Sequence, residues 1–252
     1  MATELRVFTV PGLPEIAAGD DLAGTMAAAL ARAGLALEQD DIVVVAQKIV
    51  SKAEGAVVEL ATVTPSALAA SWAAAHHKDA AMIEVVLRES RRIVRMDRGI
   101  LITETHHGFV CANAGVDASN VRPGFVTLLP RDPDASAARL RADLCARLHV
   151  RVATIVTDTF GRPWRNGVVN VAIGAAGLRP LEDWRGRTDA FGRRLQSTVI
   201  AVADELASTA AMVMGKTSGL PVAIIRGASE WCDERIGGGG ALVRPAAEDL
   251  FR

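Results

Sequence analysis

The chain has 252 residues, enough for one large domain or two small lobes with a substantial core. Half of the residues are hydrophobic, but aromatics make up only 4% and Tyr is absent, so Ala, Val, Leu and Ile must build that core. With 28 basic against 29 acidic residues, no global field draws the protein to nucleic acid or to an anionic membrane, and any anion site must be a local cluster.

No apolar stretch follows the charges of Met1-Ala2-Thr3-Glu4-Leu5-Arg6, so no secretory signal is expected. No run is apolar and long enough to read as a membrane span. Cys111, Cys145 and Cys232 lie far apart and form no CxxC pair, which suits reduced thiols in a cytoplasmic protein better than a zinc site.

In chain order, residues 5–10 read as a first strand, stopped by Pro11-Gly12-Leu13-Pro14. Asp20 or Asp21 can cap a helix running to about Gly34, with Leu22, Met26 and Leu30 at a spacing of four. Asp41–Ala46 is a short buried strand that leads into Gln47–Lys52, and Glu54-Gly55 marks a turn. From about Thr64 to Arg92 the chain reads as mainly helical. Ile100–Thr103 and His107–Ala112 read as strands. Pro133–Leu148 suits a helix started by Asp132 or Asp134, followed by the β-branched strand Val152–Thr157. A polar interval from Asp183 to Gly192 precedes a helix from Thr198 to about Met214, and residues 221–227 form a last strand. Strands and helices alternate too irregularly for a doubly wound sheet, so the expected class is α+β, with mixed sheets and flanking helices. Residues 1–236 are expected to form the functional domain, in one or two lobes. Residues 237–252 are expected to be a Gly-rich flexible stretch and a tail or docking segment.

Asp158 is expected at the end of its strand, opening a loop with Arg162 and Arg165 in the next turn. A carboxylate beside two guanidiniums suits a divalent cation bound to polyphosphate, because Mg²⁺ takes one or two carboxylates plus phosphates and Arg forks onto phosphate oxygens. A capped turn with solvated arginines reads this segment equally well. Ala210–Thr217 fits a loose Walker pattern, but a phosphate loop follows a strand and opens a helix, and here the pattern ends a helix at Gly215. A P-loop NTPase is therefore excluded, although Lys216 can still meet a ligand as a point charge. Arg88, Arg91, Arg92 and Arg95 recur at i, i+3, i+4 and i+7, which on a helix gives a four-cation face, more often solvated than functional.

Four segments end in a phosphate- or metal-competent group: Gly12–Glu15, Gln47–Gly55, Asn113–Asn120 and Asp158–Arg162. Phosphoryl transfer needs anionic ligands for a metal and cations for the phosphates. Asp117 and Asp158 supply the first, while Lys52, Arg162 and Arg165 are candidates for the second. These segments resemble the coenzyme F420-0:γ-glutamyl ligase family. So do Gly19-Asp20-Asp21-Leu22, Leu129-Pro130-Arg131-Asp132-Pro133-Asp134 and Ala203-Asp204-Glu205-Leu206-Ala207, in order from about residue 8 to residue 227.

The resemblance implies an interlocked α+β homodimer that uses GTP and Mg²⁺ or Mn²⁺ (one ion or two, with a monovalent cation as a further cofactor). Its members join L-glutamate to coenzyme F420-0 and then add γ-linked glutamates. It further implies that Leu13, Pro14, Glu15 and Ile16 line the GTP site and that Gln47, Lys52 and Asn120 contact the nucleotide. Asp117 and Asp158 would hold one metal and Thr159 a second. Many relatives carry a carboxylate or amide where this chain has Lys216, so Lys216 is not expected as a ligand. Some also continue into a flavin-binding reductase domain after a segment like Leu242–Asp249. Two rival readings are a similar ligase or kinase acting on another phosphorylated carboxylate, and a non-catalytic nucleotide-binding scaffold.

Overall fold

A computed structural model describes residues 4–233 and 237–249. The expected boundary at residue 236 and the last residues of the expected tail, 250–252, lie outside the described residues. The centre is a five-stranded mixed sheet built from β1 (Arg6–Thr9), β2 (Asp41–Ala46), β8 (Val152–Arg162), β9 (Arg165–Ala176) and β12 (Val222–Arg226), in the order β1-β12-β2-β8-β9. Only β2 and β8 run parallel; the other pairs are antiparallel.

Both faces of that sheet are covered, which is why β2 reads as a continuous apolar run. Val43 and Val45 join a cluster with Met26 and Leu30 of α1 (Leu22–Arg32), Ile49 and Val50 of α2 (Gln47–Ala53), and Leu140 and Leu144 of α5 (Pro133–Leu148). Ile42 and Val44 face the other side, against Ala203, Leu206, Ala207 and Ala210 of α6 (Val202–Met214). The alanines of α6 pack on Ala172, Ala175 and Ala223 of the sheet, so a chain poor in aromatics can fill its core by close approach.

A second unit is inserted between α2 and α5, with its own apolar cluster around Leu101, Val85 and Val126. It contains the paired strands β3 (Val57–Glu59) and β7 (Phe125–Thr127), helices α3 (Ala67–His76) and α4 (Ala80–Arg88), and a three-stranded sheet. That sheet is β4 (Ser90–Asp97), β5 (Ile100–Thr105) and β6 (Val110–Ala112). Two short strands, β10 (Glu182–Asp183) and β11 (Val199–Ile200), tie the base of an exposed loop.

Three expectations need correction. The helical stretch from Thr64 ends at Arg88, and Arg91, Arg92 and Arg95 lie on β4, so there is no four-cation helical face. The buried carboxylate of Glu104 on β5 explains the strand, because it needs cations and receives Arg92 Nε at 2.7 Å and Arg91 Nη1 at 3.6 Å. Residues 198–201 are not helical either: α6 starts at Val202, and β11 pairs with β10 before it. Asp158 does not end its strand, because β9 pairs with β8 from Thr154 through Arg162 and carries it past the apolar run.

The starts of α1 and α5 agree with the sequence. Asp132 accepts from Ala135 N at 2.9 Å to cap α5, and Asp21 accepts from Gly24 N at 3.0 Å to cap α1. Asp21 also receives Arg147 Nη2 from α5 at 2.6 Å. Asp21→Ala therefore removes a cap and a helix–helix tie together, and a loss of about 1–2 kcal/mol is expected in urea unfolding. A change under roughly 0.3 kcal/mol would contradict the capping role.

Candidate functional site

Where β2 stops at Ala46, its parallel neighbour β8 continues, and the last register pair is Ala46 with Thr157. The chain turns into α2 at Gln47, so the next residue on β8, Asp158, loses its neighbour on that side. A cleft opens outside the carboxyl ends of the parallel pair, the usual ligand position in open sheets with parallel strands. Its volume is about 380 Å³, within the range of small-molecule sites.

The β1–α1 loop supplies Leu13, Pro14, Glu15 and Ile16 to the wall, and α2 supplies Gln47, Lys48 and Lys52. Asn120 comes from the inserted unit, Asp158 and Thr159 from β8, and Asn170 from β9. The loop after α6, Gly215–Pro221, closes the remaining side. Nine of the ten expected residues thus line one cavity. The tenth, Asp117, stands just behind it, bonded to the Lys48 ammonium.

Charges in this cleft are paired across elements. Lys52 bonds the Glu15 carboxylate and donates to the Asn120 carbonyl at 2.7 Å. Asn120 makes that contact from a left-handed backbone, φ 55°. Gln47 is buried, and its Oε1 accepts from Ser51 Oγ at 2.7 Å. Its Nε2 has no partner among the described residues, a donor that a ligand in the cleft can satisfy.

Asp117 accepts from Ser119 N at 2.6 Å and is anchored by backbone bonds to Thr127. Burial disfavours its charge, but the hydrogen bonds from Lys48 and Ser119 prevail and hold its carboxyl below the ordinary value. Burial pushes Asp158 the other way, up to about 6. The N–H of Thr159 and the charge of Lys48 oppose that rise, and the charge of Asp117 adds to it. The two carboxylates are therefore close enough to repel. Burial also lowers Lys216, whose ammonium bonds Thr159 Oγ1 and Asn170 Oδ1.

This donor set fits a hard divalent cation. It offers two mutually repelling carboxylates, Asp117 and Asp158, with room for phosphates and water. No cluster of three or more His, Cys, Asp or Glu side chains suited to a metal exists among the described residues. The protein alone would therefore under-coordinate an ion, as is usual for Mg²⁺ carried in with a nucleotide.

Arg162 and Arg165 do not line the cleft. Four residues beyond Asp158 on an extended strand is roughly 13 Å, and Arg162 instead donates to the Asn166 carbonyl at 2.9 Å at the hairpin tip. Among the described residues, the cations at the site are Lys48, Lys52 and Lys216. Lys48 and Asn170 had no assigned role in the sequence. A lysine following a β-strand as closely as Lys48 was the available signal, whereas Asn170 is legible only once β9 is paired with β8.

The family model described as F420-0:γ-glutamyl ligase matches residues 12–227. The coenzyme F420:L-glutamate ligase of Methanothermobacter thermautotrophicus is 46% identical over 250 residues, covering 98% of this chain and 99% of that protein. The protein of the same name from Methanopyrus kandleri is 45% identical, covering 98% of each chain. That of Methanocaldococcus jannaschii is 44% identical over 86% of each. With a family model spanning most of its length and relatives this similar end to end, the chain belongs to the F420-0:γ-glutamyl ligase family.

Proposed function

We propose that this protein is a GTP-dependent ligase of coenzyme F420 biosynthesis, joining L-glutamate to F420-0 and then extending the product by γ-linked glutamates. One observation carries the reading: residues from five distant segments meet at one cleft, bringing three ammonium groups and three carboxylates together. The relatives' name, coenzyme F420:L-glutamate ligase, supports the deazaflavin coenzyme and L-glutamate as the groups joined.

A carboxylate is a poor acylating agent because its leaving group would be an oxide. In the proposed route, the carboxylate of F420-0 attacks the γ-phosphorus of GTP and GDP departs. The glutamate amine then attacks the acyl phosphate carbon, the C–O bond to phosphate breaks, and the amine loses a proton. Asp117 and Asp158 would hold one Mg²⁺ or Mn²⁺, which when bound supplies positive charge to the phosphate oxygens. Lys52, held by Glu15 and Asn120, is positioned for phosphate. The loop Leu13–Ile16 offers apolar wall for the base, and Gln47 Nε2 offers a donor.

Assembly as a homodimer and a cytoplasmic location belong to the same proposal. Exposed Trp164, 82% accessible, and Val168 on the β8–β9 hairpin, with Phe191 at 92%, are apolar groups that a second copy would cover. Among the described residues no helix is long and apolar enough to cross a membrane.

The test is direct. Protein incubated with GTP, Mn²⁺, L-glutamate and F420-0 should yield products heavier by glutamate increments in mass spectrometry, with GDP released in equal amount. Phosphate release driven by a different carboxylate would favour the rival ligase or kinase reading. Thermal stabilisation by GTP without turnover would favour a scaffold.

A further inference from the structure

One corner of the cleft is built unlike the rest. Thr159 and Asn170 are register partners across β8 and β9, and Thr159 Oγ1 donates to Asn170 Oδ1 at 2.8 Å. The Lys216 ammonium donates to both oxygens, at 3.1 Å to Asn170. Its third N–H has no protein acceptor among the described residues, and all three residues line the cleft. The placement is set by the backbone. Gly215 caps α6 at φ 64°, which glycine adopts without strain, and this turns the chain so that residue 216 enters the wall.

A hydroxyl and an amide oxygen are ordinary ligands for a hard cation. Here an ammonium already holds both. Any divalent ion on Thr159 would stand beside a like charge delivered by the fold, in a partly desolvated cleft where repulsion is strong. The other corner differs, because Asp117 and Asp158 are anionic and their mutual repulsion is relieved by a cation between them. Around the cleft Glu15, Asp117 and Asp158 balance Lys48, Lys52 and Lys216, so the fixed charge is neutral before a polyphosphate arrives.

We propose that the Lys216 ammonium stands in for a second divalent cation in this chain, contacting a phosphate oxygen of the nucleotide, so that one divalent ion is bound per nucleotide. The inference rests on the nucleotide reading above and adds the number and nature of the cations to it.

Native mass spectrometry of the full chain with Mn²⁺ and a non-hydrolysable GTP analogue counts the ions directly. Wild-type protein should carry one Mn²⁺ per analogue, and Lys216→Glu should carry two. Lys216→Met, which offers neither charge nor ligand, should carry one and bind the analogue roughly 10–100-fold more weakly, as expected for a lost charge-assisted hydrogen bond. Melting curves establish that both variants are folded. Two ions on the wild-type chain overturn the proposal, as does one ion on Lys216→Glu with analogue bound, or unchanged affinity in Lys216→Met. Wild-type protein that binds neither analogue nor Mn²⁺ removes the nucleotide reading itself, and the cation count with it.

Discussion

Replacing Asp158 by Asn should abolish turnover while making the metal-free protein more stable. Activity is expected to fall by at least roughly 10²–10³-fold, because the variant loses one of the two carboxylates proposed to hold a cation at the phosphates. Stability should move the other way. Burial raises Asp158 from 3.8 to about 6, so the folded chain disfavours its charged form. Between those values the folded state binds more protons than the unfolded state, and stability falls as pH rises. The penalty is absent below about pH 4 and complete above about pH 6. The shift corresponds to up to about 3 kcal/mol at pH 8, and to less where solvent still reaches the partly exposed residue. Asn keeps the shape and carries no charge, so in chelator-treated protein its melting temperature should exceed wild type at pH 8 by about 2–4 °C per kcal/mol, and match it near pH 4. Adding Mn²⁺ and GTP should stabilise wild type and leave the variant unmoved. Wild-type turnover in the variant, or a lower melting temperature at pH 8, would refute this account of Asp158.

How much of this was legible in the sequence depends on which interactions were local. Strand β2, helix α5 and the end of α6 are written in short-range signals: a β-branched run, an Asp cap before Pro133, and a glycine after Met214. The Walker-like segment is marked as no phosphate loop by the same kind of signal, since a glycine cap followed by strand β12 gives no helix N-terminus. What failed was long-range. The arginines after Arg88 repeat at helical spacing, yet the fold spends Arg91 and Arg92 on Glu104, a partner on the neighbouring strand with no local mark. Asp158 looked like a strand end because the apolar run ends at Thr157, and only pairing with β9 extends it. That extension moved Arg162 out of the site and brought Asn170 in. Strands β3, β7 and β9 were not read at all. Two are three residues long, and β9 begins with polar residues that alternate with little contrast. The cleft-lining residues from the four candidate segments were legible because each follows a strand or turn, although their convergence is a property of the fold.

Gly174→Ala should be the most damaging small substitution outside the cleft. Gly174 sits in β9 opposite Val156, under the first turn of α5. A methyl group built there would lie 2.8 Å from Pro133 Cβ and closer still to the Pro133 carbonyl, which is backbone and cannot rotate away. The carbonyl is held in turn, because the next residue, Asp134, accepts from Ala175 N at 2.9 Å and from Gly239 N at 2.6 Å. Asp134 also accepts from Gly240 N at 3.1 Å, so one carboxylate pins the strand, the helix start and the C-terminal segment to each other. Gly239 and Gly240 are tied to the start of α5 through these bonds, and a methyl on Gly239 would meet Gly174 N at 2.9 Å. With the Pro133 backbone in the way, relief requires shifting α5 away from the sheet and uncovering the cluster of Leu140 and Leu144. The expected cost is about 3 kcal/mol, at the upper end for overpacking, or a fall in melting temperature of roughly 6–12 °C. Gly161→Ala, on the preceding strand β8 with no atom within 4 Å of the new methyl, is the control and should change stability by no more than about 0.5 kcal/mol. If Gly174→Ala unfolds at the same urea concentration as Gly161→Ala, the interlock of β9, α5 and the C-terminal segment is not what holds this side of the sheet together.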